Sequence, residues 1–174
     1  WAELTSHPDM QRLLKSTLEV GTYHEHDTAW CQEFALEGAY PLHPAATFLL
    51  PRLAMRLAAP ERTALSFFQE HAAGGLQYFL SNFAIAQPNG RLSLYTVDLL
   101  YSYFERQLKT DPRLQEAHGV LERALESSRD IPMARRLLRT VWLLQVGGQE
   151  RVNTSPEHVI WSLHLGAREQ PLAA

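Results

Sequence analysis

The spacing most suggestive of metal chemistry is His24-Glu25-His26-Asp27, two histidines one residue apart followed by an acid. Imidazoles so placed can converge on zinc from a strand end or a loop, with a carboxylate completing the set. The pattern is H-x-H-D, not the H-x-H-x-D-H of binuclear hydrolases, which also need a β-sandwich. A second account needs no metal: a polar turn between helices, ending in Asp27 as a helix cap. His24, His26 and Asp27 are therefore metal candidates set against a default of none.

Other chemistries are excluded by what is missing. A nucleotide-hydrolysing P-loop needs glycines that let the backbone approach phosphate and a lysine that reaches the terminal phosphates. The only lysines are Lys15 and Lys109, and neither follows a G-x-x-x-x-G frame. There is no G-x-S-x-G elbow, no H-E-x-x-H and no glycine-rich dinucleotide fingerprint. None of these catalytic centres can be assembled from this segment alone.

Composition bounds the remaining options. At 174 residues and 45% hydrophobic, the chain can bury a real core as one large unit or two small ones. Lys plus Arg is 16 against 19 for Asp plus Glu, a formal charge of -3. Nothing global therefore draws it to nucleic acid or to an anionic membrane. Cys31 is the single cysteine, which excludes an internal disulfide and points to a reducing compartment, the cytoplasm. No apolar run approaches the ~20 residues that span a bilayer. A chain that starts at Trp1 with no leader reads as a segment of a longer protein.

The elements that must position any site read as helices. Ser6-His7-Pro8 opens one with Met10, Leu13, Leu14 and Leu18 on a face, closed by Gly21. Asp27 caps a short one through Trp30, Phe34 and Leu36, closed by Gly38. Pro44 begins a helix whose buried face is Ala46, Leu49, Leu50, Leu53 and Leu57, with Pro51 inside it as a bend. Pro60-Glu61-Arg62-Thr63 starts the next, through Leu65 and Phe68, ended by Gly74-Gly75. An aromatic helix follows over 76–83, and Phe67, Phe68, Tyr78, Phe79 and Phe83 read as core. Gln87-Pro88-Asn89-Gly90 is a turn. Thr96 caps a long helix with Val97, Leu100, Tyr101, Phe104 and Leu108 in register.

The later third repeats these signals. Asp111-Pro112 leads into Leu114, Leu121 and Leu125. Pro132 opens a helix with Ala134, Leu137, Leu138, Val141 and Leu144 as its stripe, and Arg135, Arg136 and Arg139 on the opposite, solvated face. Nucleic-acid contact by those arginines is the minority reading. Thr154-Ser155-Pro156-Glu157 starts the last helix, through Val159, Ile160 and Leu163. The prediction is an all-α bundle of about nine helices, with short strand pieces conceivable only at 91–94 and 150–152. The polar stretch Lys109 to Pro112 divides it into a lid-like bundle over 1–109 and a C-terminal helical region over 110–174. The last two helices suggest a winged-helix-like or helix-turn-helix-like unit.

Residues 40–68, "YPLHPAATFLLPRLAMRLAAPERTALSFF", resemble a segment of large bacterial P-loop ATPases of the AAA+/STAND kind, including BREX-type phage-defence ATPases. The family pattern runs Y-P-L-H-P, an apolar helix with L-L-P-x-L, then an N/D-E-R-T turn into an F-S-F-like helix start. The matching elements are Tyr40 to Pro44, Leu49 to Leu53, Glu61-Arg62-Thr63 and Leu65 to Phe68. "YTVDLLYSYFE" and "RRLLRTVWLL" also look like the family's downstream helices. The chain departs from the pattern at Pro60, where Asn or Asp is usual.

The resemblance implies a helical lid that closes over ATP and Mg held by an upstream ATPase core, with no cofactor bound by this segment alone. It carries onto Arg62 the role of a lid arginine touching the terminal phosphate, and onto Tyr40, Pro41 and His43 a place along the nucleotide base or the hinge. Partners are then the core in the same polypeptide and other protein subunits, with no membrane. Without the resemblance, Arg62 reads as a solvated charge beside Glu61 or Glu70 and His43 as a polar residue near a cap. The alternative function is a stand-alone all-α protein-interaction module with no nucleotide role.

Overall fold

The computed structural model describes residues 2–57, 64–87, 90–148 and 151–165. They form helices α1 (Ala2–Thr5), α2 (Pro8–Val20), α3 (Thr28–Trp30) continuing as the π-helix Cys31–Glu37, α4 (Pro44–Arg56), α5 (Ala64–Gln69), α6 (Leu76–Asn82), α7 (Val97–Thr110), α8 (Gln115–Ser127), α9 (Pro132–Gly147) and α10 (Pro156–Ser162). The fold is all-α as the sequence predicts. Among the described residues no sheet forms; only the isolated bridges Leu42 to Tyr95 and Ala86 to Leu92 pair extended backbone.

Helix starts follow local chemistry. His7, His43 and Ser155 each sit at an N-cap with proline next, and each side chain accepts a backbone N–H of the first turn. Asp27 does the same for the Trp30 N–H at 2.8 Å. Gly21, at φ 74°, closes α2 in the left-handed conformation that glycine adopts without steric cost. Asp111 organises a turn, not a helix cap, so α8 begins at Gln115, later than the sequence suggests.

The core centres on α7 and α9, with α8 beside both, α4 across them and α10 packed on α2, α4 and α9. All five expected residues of α4 and all five of α7 are buried. One apolar cluster runs from Leu42 through Phe104, Leu121 and Leu143 to Leu163, and therefore continues across position 109. A smaller cluster joins Met10, Leu13 and Leu14 of α2 to Cys31, Ala35 and Leu36. Between α9 and α10 no β-hairpin wing is present among the described residues.

Four packing expectations are corrected. Leu18 is exposed, and Thr17 takes its place inside, with its hydroxyl on the Leu13 carbonyl. The wider π turn rotates Phe34 into solvent and turns Cys31 and Ala35 inward. In α5 the buried residue is Phe67, while Leu65 and Phe68 are exposed; in and after α6, Phe79 is buried and Tyr78 and Phe83 are not. On α9, Ala134, Leu137, Leu138 and Val141 are only half-buried, and Trp142, Leu143 and Val146 fill the core. Residues 58–63, including Pro60 to Thr63, lie outside the described residues, as does Glu150.

Candidate functional site

Between a turn at Tyr40 and Pro41 and the start of α4 at Pro44, Leu42 and His43 are extended and run beside residue 95. The Tyr95 N–H donates to the Pro41 carbonyl at 2.8 Å, and the His43 N–H donates to the Tyr95 carbonyl at 3.0 Å. Tyr95 is itself buried against Phe67 and Phe79, and its hydroxyl donates to the Gly74 carbonyl. The Tyr40–Pro41 peptide is cis. Tyr40 is half-buried and its hydroxyl donates to Ile85 at 3.2 Å, while Tyr23 donates to the Pro44 carbonyl at 2.9 Å. Two of the segments that carry the resemblance, Tyr40 to Pro44 and the residues leading into α7, thus meet in one hydrogen-bonded junction.

His43 lies at the back of this junction, fully buried. Its Nδ1 accepts the Ala45 N–H at 3.1 Å, so the neutral ring carries its proton on Nε2, an atom with no hydrogen-bond partner. Burial, and secondarily His164 nearby, holds its pKa well below the ordinary value of 6.5. The ring meets Trp161 edge-on at 5.0 Å between centroids and His164 at 5.9 Å. Pro41 is buried as well. Both residues shape the junction and neither presents a surface to a ligand.

Beyond His43 lies a network of charged side chains. Asp9 is 2% exposed, yet its Oδ2 accepts the Leu92 N–H at 3.0 Å and faces His164 Nε2 at 2.9 Å. Its Oδ1 lies 3.9 Å from Arg91 Nε. Burial alone would push this carboxyl up; the hydrogen bond and charge of His164, the Leu92 N–H and the Arg91 guanidinium outweigh it and set the pKa at about 2. His164 has φ 52°, a left-handed backbone unusual for a residue with a side chain. The Arg91 guanidinium also donates to the His164 carbonyl.

A second ion pair closes the network. Arg136 Nε lies 2.9 Å from Asp98 Oδ2, and the Thr96 hydroxyl donates to Asp98 Oδ1 at 2.6 Å. Arg136 Nη2 also reaches the Leu163 carbonyl at 3.4 Å. The ends of α7, α9 and α10 are therefore tied by one guanidinium. This corrects the solvated-face expectation: Arg135, Arg136 and Arg139 are all half-buried, with Arg139 stacked 5.0 Å from the centre of the Tyr101 ring.

The histidine motif is used otherwise. His26 stacks on Trp30 at 3.6 Å, Asp27 caps α3, His24 Nδ1 lies 3.2 Å from the Gly21 carbonyl, and the intervening Glu25 pairs with Arg151. Among the described residues no group of three His, Cys, Asp or Glu side chains is arranged to hold a metal ion. Arg62 lies outside the described residues.

Asp9, Arg91, Asp98 and His164 were not legible as a group. Asp9 reads as an acid in a first helical turn, where the helix dipole alone accounts for it. Asp98 reads the same way, and nothing local points either acid at a partner. Among the described residues no helix is long and apolar enough to cross a membrane. No family model, curated protein or solved structure matches the chain.

Proposed function

We propose that this chain is the helical lid and adjoining regulatory helices of a cytoplasmic bacterial P-loop ATPase of the AAA+/STAND kind, with phage defence as its setting. An upstream core in the same polypeptide holds ATP and Mg, and Arg62 senses the terminal phosphate. Charge on that phosphate attracts a guanidinium held at a dry interface, and hydrolysis removes it, so closure becomes conditional on nucleotide state. The C-terminal helices then serve contacts with other protein subunits.

The observation supporting this is the junction. A lid transmits ligand state only if its entry strap and its body move together. Here the Pro41 carbonyl and the His43 N–H clamp Tyr95 at the head of α7, the helix at the centre of the core. The burial of Pro41 and His43 favours the hinge role over a direct contact with the base.

Exposed apolar side chains on and after α5 and α6, Leu65, Phe68, Leu80, Phe83 and Ile85, support a second reading as a protein-interaction module with no nucleotide role. One experiment separates the two. In the longer protein that begins with the ATPase core, Arg62→Ala is expected to lower ATP turnover about tenfold or more while leaving the melting temperature unchanged. Undiminished turnover removes the sensor role, and absence of any upstream P-loop in the parent sequence removes the lid.

A further inference from the structure

We propose that α8 pairs antiparallel with α8 of a second copy of this chain across a twofold axis, so that Val120 of each copy enters the groove between α8 and α9 of the other. The groove measures ≈ 330 Å³, and its walls include Ala117, Leu121 and Ala124 of α8 with Leu138, Val141 and Trp142 of α9. On both helices these residues recur at the three- and four-residue steps of one helical face. Two such faces side by side form a seat for a third apolar helix. At about 30 Å³ per water the groove holds about eleven waters, and expelling them from apolar walls drives the pairing.

The crest beside the groove is apolar as well. Val120 is 55% exposed, and Ala117 and Ala124 stand one turn to either side of it, exposed and half-buried in turn. Their short side chains let a second backbone come near, toward the ~8 Å end of helix-pair distances. One helix thus carries both the projecting side chain and a wall of the recess that would receive it, as a surface that pairs with itself must.

Charge selects the occupant and its direction. Glu116 and Arg123, both exposed, stand two turns apart on the outer side of Val120. Among the described residues neither side chain has a hydrogen bond or an ion pair. The other acids of α8 are engaged within the chain, Glu122 with Lys109 and Glu126 with Arg129. Parallel pairing sets like charges together, whereas antiparallel pairing about Val120 sets each Glu116 opposite the partner's Arg123, twice by symmetry. A helix of another protein would have to match this pattern, and a second copy has it by construction. The pairing does not depend on the lid reading.

Sedimentation equilibrium of the chain at low salt tests it. The 13 residues of α8 give a seam about 20 Å long, at the small end of specific interfaces, so a monomer–dimer equilibrium with a Kd of about 10–100 μM is expected. Val120→Lys, at an exposed position, should weaken it about tenfold or more with the melting temperature nearly kept. Glu116→Arg and Arg123→Glu should each weaken it several-fold by setting like charges together, and the double variant should restore it, a recovery specific to the antiparallel register. A monomer at every concentration up to about 500 μM, a dimer indifferent to Val120→Lys, or a double variant that pairs no more tightly than either single one overturns the proposal.

Discussion

His164 Nε2 lies 2.9 Å from Asp9 Oδ2, joining the residue just beyond α10 to the first turn of α2 across 155 positions of sequence. The backbone at His164 is left-handed, a conformation glycine would take at lower cost, so the side chain there must return something for it. What it returns is a hydrogen-bond partner for a buried carboxylate. Asp9 in turn accepts the Leu92 N–H, and so α2, the turn after α10 and the loop before α7 converge on one group.

Acid should expose that dependence. The Asp9 pKa of about 2 lies below the ordinary 3.8, so the folded chain binds this proton less readily than the unfolded one. The stabilisation is complete above the unfolded value and is lost as pH falls from about 4 toward 2, an order of about 2 kcal/mol. Urea unfolding across that interval should show a steep loss in the wild type and a flatter one in Asp9→Asn. Parallel slopes would mean that Asp9 is no better solvated by its partners than by water.

His43 acts over a higher interval with the opposite charge. Its pKa is depressed by burial, so below about 6.5 the unfolded chain takes up a proton that the folded chain refuses, and stability falls as pH drops. His118, also held down by burial, contributes in the same direction. His43→Asn keeps an acceptor for the Ala45 N–H and does not titrate. Its stability should decline less steeply between about pH 6.5 and 4, whatever its loss of packing against Trp161 costs at neutral pH. An unaltered slope would place the protonation elsewhere.

How far the sequence reached depended on how many sides of a helix are covered. In α4 and α7, with a single solvent face each, periodicity found every buried residue it named. In α9 it found Leu144 but missed Trp142, Leu143 and Val146, because α7 and α8 contact the helix along with α4 and α10, and a helix covered on several sides has no single stripe. Residues 31–37 misled for another reason: a π turn changes the residue spacing on a face, and Phe34 swings out. The junction's ingredients were visible as Tyr40, Pro41 and His43, but not its partner Tyr95. Ion pairs such as Asp9 with Arg91 or Asp98 with Arg136 join distant positions and leave no local trace.

Two glycines separate backbone strain from close approach. Gly74 has φ 96°, and a Cβ there would stand 2.5 Å from the Tyr103 backbone nitrogen. Gly90 has φ 75°, and among the described residues nothing lies within 4 Å of a Cβ added there. Alanine at 90 should cost only the left-handed penalty, about 1 kcal/mol. Alanine at 74 adds a collision with the backbone of α7 that no rotamer relieves, for about 3 kcal/mol in all. Thermal unfolding of the pair checks this, and equal losses would show that the 70–75 loop is free to move off α7.

The Arg136–Asp98 pair offers the sharpest test of how the three helix ends are joined. Asp98 is 5% exposed, so Arg136→Leu leaves a carboxylate with only the Thr96 hydroxyl, at a cost of about 2–4 kcal/mol. Asp98→Asn leaves a half-buried guanidinium short of an acceptor and should cost about 1–2 kcal/mol. Combining them removes both stranded charges, and the double variant should fall short of the sum by about 1–2 kcal/mol. Lys109, whose partners Glu105 and Glu122 are solvent-exposed, supplies the contrast, since Lys109→Ala should change stability by less than about 1 kcal/mol. Strict additivity at 98 and 136 would mean that apolar packing alone joins the starts of α7 and α9, and that Arg136 is held in place by the Leu163 carbonyl instead of by Asp98.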